Sequence, residues 1–153
     1  MLESVWPAIE ASGVGQFMRS ASLAYPIANV AHILGAVMVA GAAILLDLRI
    51  LGYANTLHAA SVWRTLTPIA IAGFVVMVLS GLLLFAADAV ALSASRVFQV
   101  KLLLVVTATI NAALFRLYKP RLDIPPPGAK ASAMLSILLW TSVLICGRLI
   151  AYL

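Results

Sequence analysis

The apolar run from Pro26 to Leu46 constrains this chain more than any other feature of its sequence. About twenty consecutive apolar residues can cross the hydrocarbon core of a bilayer as a helix, and here only Asn29 and His32 interrupt the run. Of the 153 residues, 64% are hydrophobic and only 10% are charged, whereas a soluble domain is about half apolar and about a quarter charged. The sequence therefore predicts an integral membrane protein surrounded by the lipid bilayer.

Three further apolar runs follow the first, so we predict an all-α integral membrane four-helix antiparallel bundle over residues 25–153. The predicted spans cover about residues 26–52, 63–87, 97–117 and 131–152. Small residues recur along the first span and predict close helix packing. The short connection at 89–95 predicts that spans two and three are antiparallel neighbours.

Two longer loops are expected between the spans. Residues 53–62 are predicted to form a polar loop, and the proline-rich run KPRLDIPPPGAK at 119–130 cannot continue a helix. Pro68 lies a turn inside the second predicted span, where it indicates a kink or a late helix start.

Residues 1–24 carry apolar side chains at helical spacing and lack the basic start of a cleaved signal peptide. We predict an amphipathic interfacial helix or hairpin that lies on the membrane, with Trp6 at headgroup depth. The alternative is that this segment docks a partner protein.

The formal net charge of +5 comes from basic residues in the loops and at the span ends. No aromatic-interleaved basic stretch is present, so we expect no nucleic-acid partner. The two long loops and their flanks hold the larger share of the positive charge: Arg49, Arg64, Arg116, Lys119, Arg121 and Lys130. Because positive charge favours the cytoplasmic side, we predict a multi-pass protein of the bacterial inner membrane with both termini in the periplasm.

His32 is the first residue to consider for chemistry. Asn29 lies three residues before it, so the two share a helix face, and polar groups in lipid usually face a partner, a cavity or a ligand. The predicted topology places Lys101 and Arg148 in the same outer half of the bundle. His58 belongs to the opposite side, so the two histidines should not ligate one iron within a chain.

Several interpretations of this face remain open. One is haem b with His32 as its sole histidine ligand, or a quinone bonded to His32, with Lys101 and Arg148 steadying anionic groups. Another is copper bound by His32, Met18 and Cys146, because imidazole, thioether and thiolate suit that metal. In a third, no cofactor is present and His32 with Asn29 bonds between helices. Asp47, near basic residues, is interpreted as part of an interfacial ion-pair cluster.

Three stretches carry a family resemblance: ANVAHILGAVMVAGAAILLDLRILG at Ala28–Gly52, FQVKLLLVVTATINAALF at Phe98–Phe115 and GRLIAY at Gly147–Tyr152. On these the chain resembles an uncharacterised family of small bacterial four-helix inner-membrane proteins. It is also distantly similar to membrane domains of the copper-resistance D type and of the haem-binding protoporphyrinogen-oxidase type. The resemblance implies a haem b or copper role with an outward-facing histidine, here His32.

The leading hypothesis is a small membrane redox or cofactor-binding protein of electron transport, associated with haem b or a quinone in the outer half of the bundle. No reaction is assigned, because no catalytic motif accompanies His32. A second hypothesis is a non-catalytic accessory subunit that packs into a larger membrane complex or a homo-oligomer. A third is a copper-handling membrane protein.

Overall fold

A computed structural model describes residues 4–53, 58–117, 128–150 and 152 of the chain. The described residues form helices and turns without any strand, which confirms the predicted all-α fold. The helices in chain order are α1 (Val5–Glu10), α2 (Gly13–Ser20), α3 (Ala24–Leu51), α4 (Ala59–Ala87), α5 (Ala89–Ala94), α6 (Arg96–Leu117) and α7 (Ala129–Leu149). Four of them, α3, α4, α6 and α7, are long and apolar enough to cross a membrane. The chain is a multi-pass membrane protein.

The second span begins earlier than the sequence predicted. Residues 59–62, expected in a polar loop, form the first turn of α4, and the helix continues through Pro68 without a break. Alanines at 59 and 60 favour helix here. At the end of α3, Gly52 takes a φ of 98°, a left-handed conformation that a C-terminal glycine adopts without strain. Most of the proline-rich loop predicted at 119–130 lies outside the described residues.

The backbones of α3 and α4 pack closely because both helices carry glycine at their crossing. A Cβ atom added to Gly35 would lie 2.6 Å from the Met77 nitrogen and 2.8 Å from the Gly73 oxygen. Without a hydrophobic driving force between helices in lipid, such close van der Waals contact is a main source of helix association. Gly35 therefore provides the close helix packing that the small residues of the first span predicted.

The second and third spans are antiparallel neighbours, as predicted, but they meet through side chains and not through close backbone packing. Helix α6 packs along α7, and α3 packs along both α4 and α7, whereas no close backbone contact joins α4 and α6 over the described residues. Two aromatic pairs bridge these helices instead, Phe85 with Phe98 at a ring distance of 5.5 Å and Trp63 with Phe115 at 6.0 Å. The connection contains the short helix α5, which separates α4 from α6. We call this separation of the α4 and α6 backbones the lateral gap.

Residues 4–23 form a helical hairpin that packs on one end of the bundle. Arg19 donates a hydrogen bond of 3.0 Å to the Ala87 carbonyl at the end of α4, and it pairs with Glu10 at 3.7 Å. Glu10 in turn accepts from the Val90 nitrogen at the start of α5, at 3.0 Å. We call this end of the bundle, with α1, α2 and α5, the terminal face. The opposite end, where α3 ends and α4 begins, is the loop face.

The glycine packing of α3 gives a stability prediction. Gly35→Ala places a methyl group inside the α3–α4 contact, so we expect it to lower the free energy of unfolding by about 1–3 kcal/mol. Gly41→Ala is the matched control, because nothing lies within 4 Å of an added Cβ there. Alanine is the better helix former, so this control should keep or raise stability. Thermal unfolding in mild detergent measures both, and equal midpoints for the two variants would contradict the packing model.

Candidate functional site

His32 lies inside the bundle with both ring nitrogens close to polar partners. Its Nδ1 is 2.8 Å from the carbonyl oxygen of Met77 on α4 and 3.4 Å from the Ser80 hydroxyl. A carbonyl can only accept a hydrogen bond, so Nδ1 carries the proton in the neutral ring and Nε2 presents a lone pair. That Nε2 lies 3.3 Å from the Nζ of Lys101 on α6.

Helix α4 leaves space for the imidazole ring of His32 because residue 81 is a glycine. A Cβ atom added to Gly81 would lie 3.0 Å from Cε1 of His32 and 3.2 Å from its Nδ1. Any side chain at position 81 would therefore press on the ring. The buried Ser80 hydroxyl donates to the Val76 carbonyl at 2.5 Å, which satisfies its own polarity within α4. The ring position thus depends on the absence of a side chain at Gly81.

Lys101 reaches across the bundle from α6 and meets residues of α7 as well as His32. A Cβ added to Gly147 would lie 3.6 Å from its Nζ, and Cys146 lies close enough to interact with it electrostatically. We call His32, Ser80, Lys101 and Cys146 the central cluster. Each of the four spans contributes one of these side chains.

The cluster carries a cation without a matching carboxylate. Within the part of the chain that the structure describes, the ion pair is that of Arg19 with Glu10, and no acidic group pairs with Lys101. A charge held within a membrane span is costly unless it is paired or reaches water. The cluster is therefore suited to a ligand that brings an oxygen acceptor or a negative charge.

Four residues were predicted to bind a cofactor: His32, Asn29, Lys101 and Arg148. The structure brings His32 and Lys101 together. Asn29 is exposed on the outside of α3 and makes no hydrogen bond to the cluster among the described residues. Arg148 is also exposed, and its guanidinium bonds to the Tyr152 hydroxyl and stacks over that ring at 4.6 Å.

The candidate metal ligands are more dispersed. Met18 is buried in an apolar cluster with Ala28 and Ala87 at the terminal face, and His58 precedes α4 at the loop face. Among the described residues, no group of three or more His, Cys, Asp or Glu side chains could hold a metal ion. The copper interpretation, which adds the Met18 thioether to His32 and Cys146, stays a prediction, as does the accessory-subunit interpretation.

A second set of polar groups, near the loop face, was not predicted as a site. Asp47 is only 7% exposed, and its Oδ2 has no hydrogen-bond partner among the described residues. The Trp140 indole is 4% exposed, and its Nε1 also lacks a partner there. The sequence predicted Asp47 as part of an interfacial ion-pair cluster and not as a buried residue. The rotation of α3 about its own axis cannot be derived from the spacing of charged residues along the chain.

Comparison of the chain with protein-family models, with curated proteins and with solved structures gives no match. The family resemblance therefore stays a prediction. Function has to be argued from the geometry and chemistry of the site itself.

The hydrogen bonds of His32 predict its tautomer. In protein with ¹⁵N-labelled histidine, we expect His32 to show a protonated Nδ1 and an unprotonated Nε2 at neutral pH. His58 is the only other histidine and serves as the internal reference. Gly81→Ala should displace the ring and shift both nitrogen resonances of His32. Gly41→Ala, where nothing lies within 4 Å of the added Cβ, should leave them in place, and a protonated Nε2 in the wild type would contradict the assignment.

Proposed function

We propose that this protein is a small redox or cofactor-binding protein of the bacterial inner membrane, which holds haem b or a quinone at the central cluster. The observation that carries the proposal is the pairing of His32 Nε2 with the Lys101 amine at 3.3 Å. It places a ligating or hydrogen-bonding nitrogen beside an uncompensated cation, where the four spans meet. Intramembrane ionisable groups of this kind usually serve function.

The residues present fit a haem in two respects. Histidines that ligate metals commonly donate their other ring N–H to a carbonyl or carboxylate, which fixes the tautomer, and the Met77 carbonyl serves that purpose for His32. Lys101 has a flexible stem, so its amine can leave Nε2 and pair with an acidic group of the cofactor. Haem iron, when bound, supplies one-electron transfer. His32 would hold it from one side.

A quinone also suits the same two nitrogens. A quinone oxygen accepts a hydrogen bond from the Lys101 amine, and the hydroxyl of the reduced form donates to the lone pair of His32 Nε2. Both redox forms would therefore find a partner at these two nitrogens. The lateral gap between α4 and α6 provides a route from the hydrocarbon, because Gly81 lies on α4 and Lys101 lies on α6.

The orientation of the bundle belongs to the same proposal. Arg64 and Arg116 lie at the loop face, and the sequence has two further basic residues shortly after α6, Lys119 and Arg121, which lie outside the described residues. By the positive-inside rule we place the loop face in the cytoplasm and the terminal face in the periplasm. The central cluster is then in the periplasmic half.

Absorbance spectra of the protein purified in mild detergent, oxidised and then reduced with dithionite, test the proposal first. A Soret band with sharpened bands on reduction identifies haem, and solvent extraction followed by chromatography identifies a quinone. We expect one of the two at close to one per chain. Lys101→Met should lower the cofactor content, because the anionic or acceptor group loses its cation.

The decisive variant is His32→Ala, which should remove the bound cofactor while the protein still inserts and elutes as a single species. His58→Ala is the matched control, since it removes the other histidine at the opposite end of the bundle. Wild-type cofactor content in His32→Ala would contradict the assignment of the site. A featureless spectrum together with a quinone-free extract from the wild type would contradict the proposed function.

A further inference from the structure

A cavity of about 280 Å³ lies between the four spans near the loop face. Each span contributes to its wall, for example Asp47 from α3, Phe74 from α4, Asn111 from α6 and Trp140 from α7. Ligand pockets have volumes of about 300–1,000 Å³, so this cavity is close to the lower end of that range. It shares no residue with the central cluster.

Two side chains that line the cavity each carry a buried polar atom without a partner among the described residues. The two atoms are Oδ2 of Asp47 and Nε1 of Trp140. Both side chains are more than nine-tenths buried. A buried polar group left without a hydrogen bond costs about 1–3 kcal/mol, so these atoms point to a ligand that satisfies them.

Three other polar side chains of the cavity wall have hydrogen-bonding partners within the protein. Asn111 and Ser132 bond to each other, with the Ser132 hydroxyl 2.9 Å from the Asn111 side-chain oxygen. Ser136 lies beside Asp47 and interacts with its carboxyl group. The unmet hydrogen bonds are thus one at the carboxyl group and one at the indole.

The pairing of a carboxyl acceptor with an indole donor restricts the chemistry of the ligand. A hydroxyl group can donate to the Asp47 carboxyl group and can accept from the Trp140 N–H, so this one type of group suits both. An ammonium group has no acceptor for the indole, and a ketone has no donor for an ionised Asp47. A carboxylate ligand would be repelled by Asp47 when both are ionised. A hydroxyl is therefore the best match.

The rest of the wall favours an aromatic ring next to that hydroxyl. Trp63 and Phe115 line the cavity with their rings 6.0 Å apart, and Phe74 and Trp140 add two further aromatic surfaces. Aromatic pairs at such distances are attractive beyond the area that they bury. Trp63 and Phe74 lie on α4, whereas Phe115 lies on α6, so the cavity lies beside the lateral gap between these helices.

We infer that this loop-face cavity binds a small lipid-soluble phenol, which enters from the membrane between α4 and α6 and places its hydroxyl between Asp47 and Trp140. The inference does not rest on the function proposed for the central cluster, because the two sites use different residues. A cavity that holds only water is the competing outcome, since water can also satisfy buried polar atoms.

Binding of 1-naphthol to the full chain in lipid nanodiscs tests the inference. Tritiated 1-naphthol should bind saturably, at close to one per chain, after the signal of empty nanodiscs is subtracted. As competitors we would use unlabelled 1-naphthol and 1-methylnaphthalene, which has a similar shape but no hydroxyl. The methyl compound should compete at least about ten-fold more weakly, because it leaves both buried atoms unpaired.

Variants locate the site. Asp47→Leu and Trp140→Phe should each weaken 1-naphthol binding about 3- to 10-fold, the loss expected for one hydrogen bond. Trp6→Phe is the matched control, because it removes an indole N–H at the terminal face, and its affinity should equal that of the wild type. His32→Ala should also bind 1-naphthol normally, which separates this site from the central cluster.

Three results would overturn the inference: no saturable 1-naphthol binding above empty nanodiscs, equal competition by 1-methylnaphthalene, or wild-type affinity in Asp47→Leu and Trp140→Phe. The last would leave a water-filled cavity as the explanation of the two unpaired atoms. Size-exclusion chromatography checks that each variant is folded. If one variant does not fold, the affinity of the other decides.

Discussion

A polar side chain buried within the four spans needs a partner inside the bundle, because the hydrocarbon around it offers none. This constraint explains the main contacts of the structure. His32 bonds to a backbone carbonyl of α4 and meets Lys101 from α6, and Asn111 on α6 bonds to Ser132 on α7. Asp47 and Trp140 depart from this pattern, since each has a buried polar atom without a partner among the described residues, and both residues line one cavity.

The second organising feature is the uneven packing of the spans. Glycine contacts bring α3 and α4 together, for example at Gly35, whereas α4 and α6 are bridged by aromatic pairs near their two ends. Tight packing on one side keeps the ring of His32 in a single position. On the other side, α4 and α6 meet through side chains and their backbones are not in close contact. The proposed cofactor and the inferred phenol both depend on this asymmetry.

The sequence predicted for a topological reason that His32 and Lys101 lie in the same half of the bundle, and the structure brings the two side chains together. Because successive spans are antiparallel, the N-terminal ends of the first and third spans lie at the same end of the bundle as the C-terminal end of the fourth. His32, Lys101 and Cys146 could therefore be grouped by their depth in the membrane alone. Depth does not specify which way a side chain points. Asn29 and Arg148 have suitable depths, yet both are exposed on the outside of the bundle. Asp47 shows the opposite error, since it is buried beside Ser136.

The sequence by itself determined the fold class and the number of spans, because hydropathy along about twenty residues is a local property that needs no knowledge of neighbours. It also placed the end of the first span at about residue 52, where the structure has Gly52 in the left-handed conformation. Only the tertiary structure decided the rotation of each helix, and with it the tautomer of His32, the burial of Asp47 and the gap beside α6. Those features arise from contacts between spans, and near-uniform apolar helices carry almost no periodic signal that would specify which face turns inward.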